Sequence, residues 1–218
     1  MPFAAIELAG IEVAGEQRCT VRPGSGLRTA EVWEEARKAL RLAAWTEAQE
    51  AVAFRAVDVE AELDPGTLKV RKERRRSHSG YIHGSPYESY PAEDLAENGY
   101  VRPAPGGRWT YLAPDAGVLL SDPFLDGHCF ELTGDESRPE LIGLAFRPVD
   151  RGSDADIRGV LWLDRRSSEL RTLEFTYTTL PYPVESELIG GKVDFERLAS
   201  GPWIVRSWRI RMPEVALE

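Results

Sequence analysis

The chain has 218 residues, of which 42% are hydrophobic and 29% charged, and its formal net charge is −9. This composition is ordinary for a globular protein, and no apolar stretch reaches the roughly 20 residues of a membrane-spanning helix. The acidic balance argues against a nucleic-acid partner, because such proteins usually present a basic face. Without a low-complexity linker, the length predicts a single domain over residues 1–218, with 1–5 and 217–218 as ends outside the fold.

The first long element is predicted to be a helix that starts at Thr29 and continues to about Glu50. Thr29 is a favourable N-cap residue, and apolar residues from Trp33 to Leu40 recur at helical spacing. A shorter apolar stretch before it, Ile6–Val13, predicts a strand.

A β-hairpin is predicted next, around a turn at Asp64–Thr67. The turn has Pro and Gly where a tight turn favours them. Folding about it pairs Leu63 with Leu68 and Glu62 with Lys69, so one face is apolar and the other carries opposite charges across the strands.

The second strand of this hairpin enters a basic run, Arg71–Arg76. The run is either a nucleic-acid patch or a solvated strand whose charge is balanced by acidic residues of the first strand. The balanced interpretation is favoured, because Asp58, Glu60 and Glu62 lie within reach.

A long loop is predicted over Ser77–Gly107, because glycine and proline recur throughout it. It contains one short predicted helix, Pro91–Gly99, with Gly99 as its C-terminal stop. Long ordered loops often cover a site, and this one carries several tyrosines. They are Tyr81, Tyr87, Tyr90 and Tyr100.

The rest of the chain predicts successive strands separated by turn residues, which is typical of an antiparallel meander. The predicted strands are Arg108–Leu112, Leu141–Pro148, Gly159–Asp164, Glu169–Tyr177, Gly191–Arg197 and Trp203–Met212. The fold class is therefore predicted to be α+β, with a curved antiparallel β-sheet (a half-barrel-like meander) packed on one main α-helix.

Large aromatic residues fall on many of these strands. Most such residues form an ordinary core, but a curved sheet could also use them to line a groove for an apolar or extended ligand. The candidate ligand-binding residues are Trp109, Tyr111, Trp162, Phe175, Tyr177 and Trp208.

Histidines supply a candidate catalytic constellation: His78 and His83, five residues apart, with His128 and Asp126. Their spacing fits no standard zinc pattern, so neither a metal nor another cofactor is predicted. His128 also adjoins Cys129, but neighbouring side chains of a strand point to opposite faces, which disfavours a Cys–His nucleophile.

The two cysteines, Cys19 and Cys129, are either unrelated thiols or the two halves of one disulfide. Only one pairing is possible if a bridge exists. A bridge would indicate an exported protein.

Several segments together resemble the region that follows the regulatory β-sandwich in bacterial carboxypeptidase-regulatory-like-domain proteins. These segments are Arg18–Cys19, Val32–Leu40, Leu119–Phe130 and Gly159–Asp164, and the resemblance extends from about residue 6 to residue 213. It implies export to the cell envelope and favours a bridge between the two cysteines. The order of elements is also similar, at the level of fold, to the periplasmic lipoprotein-carrier half-barrels, whose sheet leaves an apolar groove for acyl chains.

The leading functional prediction is a non-enzymatic domain, periplasmic or secreted, that binds a lipid or peptide in the groove of its sheet. One alternative is a hydrolase or metal-dependent enzyme that uses His78, His83, Asp126 and His128. The other is a structural module that docks through a sheet edge to a neighbouring domain or to an envelope protein of the outer membrane.

Overall fold

The structure, a computed structural model, describes residues 28–49, 52–64, 69–82, 89–105, 108–149, 155–180, 189–199, 201 and 203–212. Over these residues the fold is α+β, with four helices and mostly antiparallel strands. The helices are α1 (Arg28–Gln49), α2 (Ala92–Asn98), α3 (Ala116–Leu119) and α4 (Asp122–Gly127). The strands are β1 (Val52–Leu63), β2 (Val70–Ile82), β3 (Val101–Ala104), β4 (Arg108–Tyr111), β5 (His128–Thr133), β6 (Leu141–Pro148), β7 (Ile157–Asp164), β8 (Leu170–Tyr177), β9 (Gly190–Arg197) and β10 (Trp203–Arg211). The predicted strand at Ile6–Val13 lies outside the described residues.

The main sheet has six strands in the order β10-β9-β8-β7-β6-β5, each antiparallel to its neighbours, and it is open rather than closed. Strands adjacent in sequence are therefore adjacent in space, which confirms the predicted meander. The β7–β8 turn shows how the sequence achieves this. The Asp164 carboxylate accepts backbone N–H groups of Arg166 and Ser167, each at 2.9 Å, as aspartate commonly does in turns.

Helix α1 packs on one face of the main sheet, which we call the inner face. Its apolar stripe includes Trp33 and Leu40, both almost wholly buried, and the Trp33 ring lies 6.2 Å from that of Phe130. The predicted helix is thus confirmed, but the predicted N-cap is wrong. Thr29 is itself helical, follows the helical Arg28 and is buried.

Side chains of the sheet alternate between the inner face and an outer face that points away from α1. The alternation of β8 predicts that Leu173, Phe175 and Tyr177 share one face, and this is confirmed, since all three are buried on the inner face. The sequence of β10 predicts that Ile204, Trp208, Ile210 and Met212 share one face, but this is wrong, because the strand contains an irregularity between Val205 and Ser207. An extra residue in one strand changes the face of the residues before it. Ile204 therefore does not share the core-packed face of Trp208.

The β1–β2 hairpin forms a separate two-stranded sheet. It is predicted correctly as a hairpin, but the predicted register is wrong, since Glu62 pairs with Lys72 and Leu63 with Val70. The loop is longer than a four-residue turn, because the Asp64 N–H donates to the carbonyl of Lys69 at 2.9 Å. A register shift between Glu62 and Leu63 adds a further displacement.

The segment between the two sheets contains more regular structure than the predicted loop. Strand β2 continues to Ile82, so the first part of that loop is strand. The short predicted helix is confirmed as α2, and Gly99 follows it with φ 74°. Helices α3 and α4 were missed, although their N-caps could have revealed them. Asp115 accepts from the Val118 N–H at 2.8 Å, and Ser121 accepts from the Phe124 N–H at 3.2 Å.

Candidate functional site

The β1–β2 hairpin, together with its loop, is called the arm below. Within the described part of the chain its two strands pack mainly against each other. Every described side chain of the two strands is at least partly exposed. With 12 and 13 residues per strand at about 3.4 Å per residue, the arm is roughly 40 Å long. It is therefore a long, thin ribbon with two solvent-accessible faces.

One face of the arm, the ladder face, carries opposite charges across the strands. Glu60 pairs in register with Arg74, and their side chains form an ion pair at 3.2 Å. Asp58 lies 3.6 Å from Nδ1 of His78, whose ring contacts Phe54 at 5.7 Å between centroids. This is the arrangement that the balanced interpretation of the basic run predicts. Charged side chains of the ladder face thus pair with opposite charges on the same face.

The other face, the valine face, holds the residues that alternate with the ladder. Val57 and Val59 are 48% and 50% exposed, and Tyr81 is 80% exposed. Arg55 and Glu73 lie on the same face by strand alternation. Contiguous exposed apolar side chains, unlike isolated ones, often mark interaction sites. The valine face is the most conspicuous candidate binding surface of the described residues.

The predicted groove residues lie elsewhere, in or against the core of the main sheet. Tyr111, Phe175 and Tyr177 are buried, and their rings form a chain of edge contacts at 5.4 and 5.8 Å. The Tyr177 hydroxyl donates to the carbonyl of Leu112 at 3.1 Å. Trp109 and Trp208 are partly buried and pack against this core.

Trp162 is buried too, but it lies on the outer face of the sheet, whereas the rings of Phe175 and Tyr177 lie on the inner face. Its register partner is Thr172, whereas the neighbouring Leu161 pairs with the inward Leu173. The indole Nε1 donates to Glu174 at 3.0 Å, and the Arg138 guanidinium covers the ring at 4.4 Å. The six aromatic residues are therefore not brought together on one surface, and a ligand-binding role for them stays a prediction.

His128 is buried where α4 meets β5. Its Nδ1 lies 2.8 Å from the carbonyl oxygen of Phe124, and its Nε2 lies 3.2 Å from that of Ile157 and 3.3 Å from the Asp156 carboxylate. The Phe124 ring stacks on the imidazole at 4.1 Å. The imidazole thus ties α4 to the start of β7.

The other members of the predicted catalytic constellation are not gathered around His128. His78 lies on the arm, paired with Asp58 rather than with the main sheet, and His83 lies outside the described residues. The carboxylate beside His128 is that of Asp156, not Asp126. Among the described residues there is also no cluster of three or more His, Cys, Asp or Glu side chains that could hold a metal ion.

Two phenols, those of Tyr100 and Tyr177, are buried in the core. Burial, and then the nearby carboxylates of Asp156 and Asp115, raise the pKa of Tyr100 well above its usual value. Burial likewise raises the pKa of Tyr177. Both phenols therefore stay neutral over the physiological range.

Cys129 lies on β5, is buried and is not a free thiol. Cys19 lies outside the described residues, so the bridge between them stays a prediction. None of the described helices is both long enough and apolar enough to cross a membrane.

Comparison with protein families, with curated proteins and with solved structures finds no match to this chain. The resemblance to the carboxypeptidase-regulatory-like proteins and the envelope location that it implies stay predictions.

Sequence reasoning missed the arm as a binding surface, although a signal was present. From Val57 to Glu62 the chain alternates apolar and acidic residues. Such alternation normally indicates a strand with one buried face. Here the apolar face is exposed, so the pattern points to a surface that another molecule covers.

Proposed function

We propose that this protein is a docking module, whose arm binds another polypeptide through its valine face. The observation that carries the proposal is the exposure of Val57, Val59 and Tyr81 on a ribbon that packs mainly against itself. This develops the docking alternative of the sequence analysis, with a strand face in place of a sheet edge.

A two-stranded hairpin is marginally stable in water unless a third strand or another element covers one face. Full burial of a valine contributes about 1.5–3 kcal/mol, so covering two half-exposed valines contributes roughly half of that for each. A chain that only needed to connect α1 with α2 could use a short loop instead. A partner on the valine face explains both the length and the composition of the arm.

We also propose that the module acts in the cell envelope, periplasmic or secreted, as the resemblance implies. The lack of a free thiol at Cys129 supports this location, because disulfides persist mainly in oxidising compartments.

The lipid or peptide groove remains a separate proposal. It draws on the partly buried Trp109 and Trp208 rather than on the buried rings. The enzymatic alternative gains no support from the site, because His78 and His128 lie on different sheets.

A photo-crosslinking pair tests the docking role. A benzophenone amino acid replaces Tyr81 in one variant and Trp45, an aromatic residue of α1 that is 63% exposed, in the matched control. In cells that produce the protein, the Tyr81 probe is expected to give a discrete adduct, which Val57→Lys with Val59→Lys abolishes. No adduct at Tyr81, or the same adducts from the Trp45 probe, would contradict the proposal.

A deletion shows whether the arm is instead part of the folding core. Val57 and Ser77 are register partners, so residues 58–76 can be replaced by a two-residue Asn-Gly turn. The shortened protein is expected to unfold as cooperatively as the parent, because the removed residues support little but each other. Loss of cooperative unfolding would show that the arm supports the fold.

A further inference from the structure

We infer that the partner of the arm is a second copy of this chain, with the two arms stacked valine face to valine face in antiparallel directions. The inference rests on the proposed docking function and names its partner. It is carried by two features of the valine face, namely the position of its valines and the order of its charges.

The valines lie at the middle of the arm. Along the valine face the register rows are Ala53/Tyr81, Arg55/Ser79, Val57/Ser77, Val59/Arg75 and Ala61/Glu73. An antiparallel copy centred between Val57 and Val59 places each valine over the other valine of its partner. The exposed apolar side chains in the middle of the arm then form two equivalent contacts, Val57 over Val59 and Val59 over Val57, as a two-fold interface requires.

The same stacking makes the charges complementary. It places the row of Arg55 over the row that holds Glu73 of the second copy, again twice by symmetry. Glu73 already accepts from Arg75 through one carboxylate oxygen, and its second oxygen remains for Arg55 of the other chain. A parallel stack would instead set the row of Arg55 over the same row of the second copy, and the row of Arg75 likewise, and such like-charge contacts are destabilising.

The distribution of charge over the whole chain favours the same geometry. Residues 52–82 hold seven Lys or Arg and five Asp or Glu, a net charge of +2, whereas the full chain carries −9, which leaves −11 for the rest. In an antiparallel stack the two acidic bodies lie at opposite ends of arms roughly 40 Å long. That separation is several times the Debye length of about 8 Å at physiological salt, so the repulsion between the bodies is screened.

The size of the interface sets the expected affinity. A ribbon roughly 40 Å long and about 10 Å wide offers on the order of 400 Å² on one face, or about 800 Å² for two copies. This is about half of a standard protein–protein interface. Interfaces of this size are typical of weak, transient contacts, so we expect the association to depend on concentration.

Sedimentation equilibrium of the full chain, from about 1 to 500 µM, measures this association. The parent protein is expected to pass from monomer to dimer over that range. Val57→Ser with Val59→Ser is expected to raise the Kd by about tenfold or more, because the central contact loses its apolar groups. The matched control, Glu60→Ser with Arg74→Ser on the ladder face, is expected to leave the Kd within about twofold. An equal effect of both double variants would overturn the stacking geometry.

Charge reversal tests the direction of the stack. Arg55→Glu and Glu73→Arg should each weaken the dimer several-fold, and the two together should restore it, because the pair is then re-formed with its signs exchanged. No restoration in the double variant would rule out the antiparallel arrangement.

Failure of the inference and failure of the docking function are distinguishable. If the chain stays monomeric at every concentration while the Tyr81 probe still gives its valine-dependent adduct, the partner of the arm is a different protein and not a second copy. A dimer that persists after removal of residues 58–76 would overturn the inference, because its contact would lie elsewhere.

Discussion

Substitution of Gly191 by alanine tests whether the predicted ligand-binding ring of Phe175 is instead a structural partner of its neighbouring strand. The two residues are register partners on β8 and β9. A Cβ atom on Gly191 would lie 2.2 Å from Cε1 and 2.4 Å from Cζ of Phe175, far inside van der Waals contact. The ring is buried and its edge contact with Tyr177 restricts its movement. The glycine therefore provides the space that the ring occupies.

The expected cost follows from this overlap. Inserting a methyl group into a well-packed site typically costs about 1–3 kcal/mol. For a domain of 150–250 residues each kcal/mol lowers the Tm by about 2–4 °C, so we expect Gly191→Ala to lower it by about 2–12 °C. Lys192→Ala, an exposed substitution on the same strand, serves as the control and should change stability by less than about 0.5 kcal/mol.

Thermal and urea unfolding of a double-mutant cycle with Phe175→Leu completes the test. If the clash is with the ring, the double variant is more stable than the sum of the single effects implies, by about 0.5–3 kcal/mol. Strict additivity, or no destabilisation by Gly191→Ala, would refute this reasoning.

Three further substitutions test other contacts of the main sheet. Tyr177→Phe should lower the free energy of unfolding by about 1 kcal/mol at neutral pH, because a hydrogen bond is lost. Burial raises the pKa of the Tyr177 phenol, so the parent should also lose stability as pH rises above about 10. Urea titrations should show a shallower loss of stability with pH in the variant. Arg138→Ala should shift tryptophan emission to the red, because it uncovers the ring of Trp162. Hydrogen bonds from Ser137 and then Arg138 lower the pKa of Asp135 to about 2. The ionised carboxylate therefore stabilises the fold above about pH 4, and this contribution is lost as the pH falls from there towards the lowered pKa. Asp135→Asn should therefore flatten the acid limb of the unfolding profile, and an unchanged limb would contradict this assignment.

The elements that local signals determine were predictable from the sequence. The helix of Trp33 and Leu40 has a strong periodic pattern, and the strands of the meander are separated by recognisable turns such as that at Asp164. Helices α3 and α4 were missed because each is shorter than two turns, too short for periodicity to show. Their capping residues were the only local evidence.

Details that depend on one residue were less predictable. The arm register was wrong because the loop closes through Lys69 rather than Thr67, and the β10 face changes at an irregularity near Ser207. Neither position carries a distinctive residue. Since side chains alternate with a period of two, one extra residue moves the rest of a strand to the other face.

The candidate site was the least predictable feature, because aromatic content does not distinguish core from surface. Phe175 and Tyr177 have the alternation of a groove wall, yet α1 and the segment before β5 cover them. Conversely, Val57 and Val59 have the alternation of a buried strand, yet they are 48% and 50% exposed in the described part of the chain. Exposure depends on which elements pack together, and no local pattern encodes that.

Amide hydrogen exchange at several protein concentrations is the most direct test of the arm as a docking element separate from the body. At low concentration the amides of β1 and β2 should exchange far faster than those of β6–β8, because a lone ribbon opens easily. At high concentration the arm should become protected while the body does not change. Protection of the arm equal to that of β6–β8 at the lowest concentration would contradict the account, since the arm would then be an integral part of the fold.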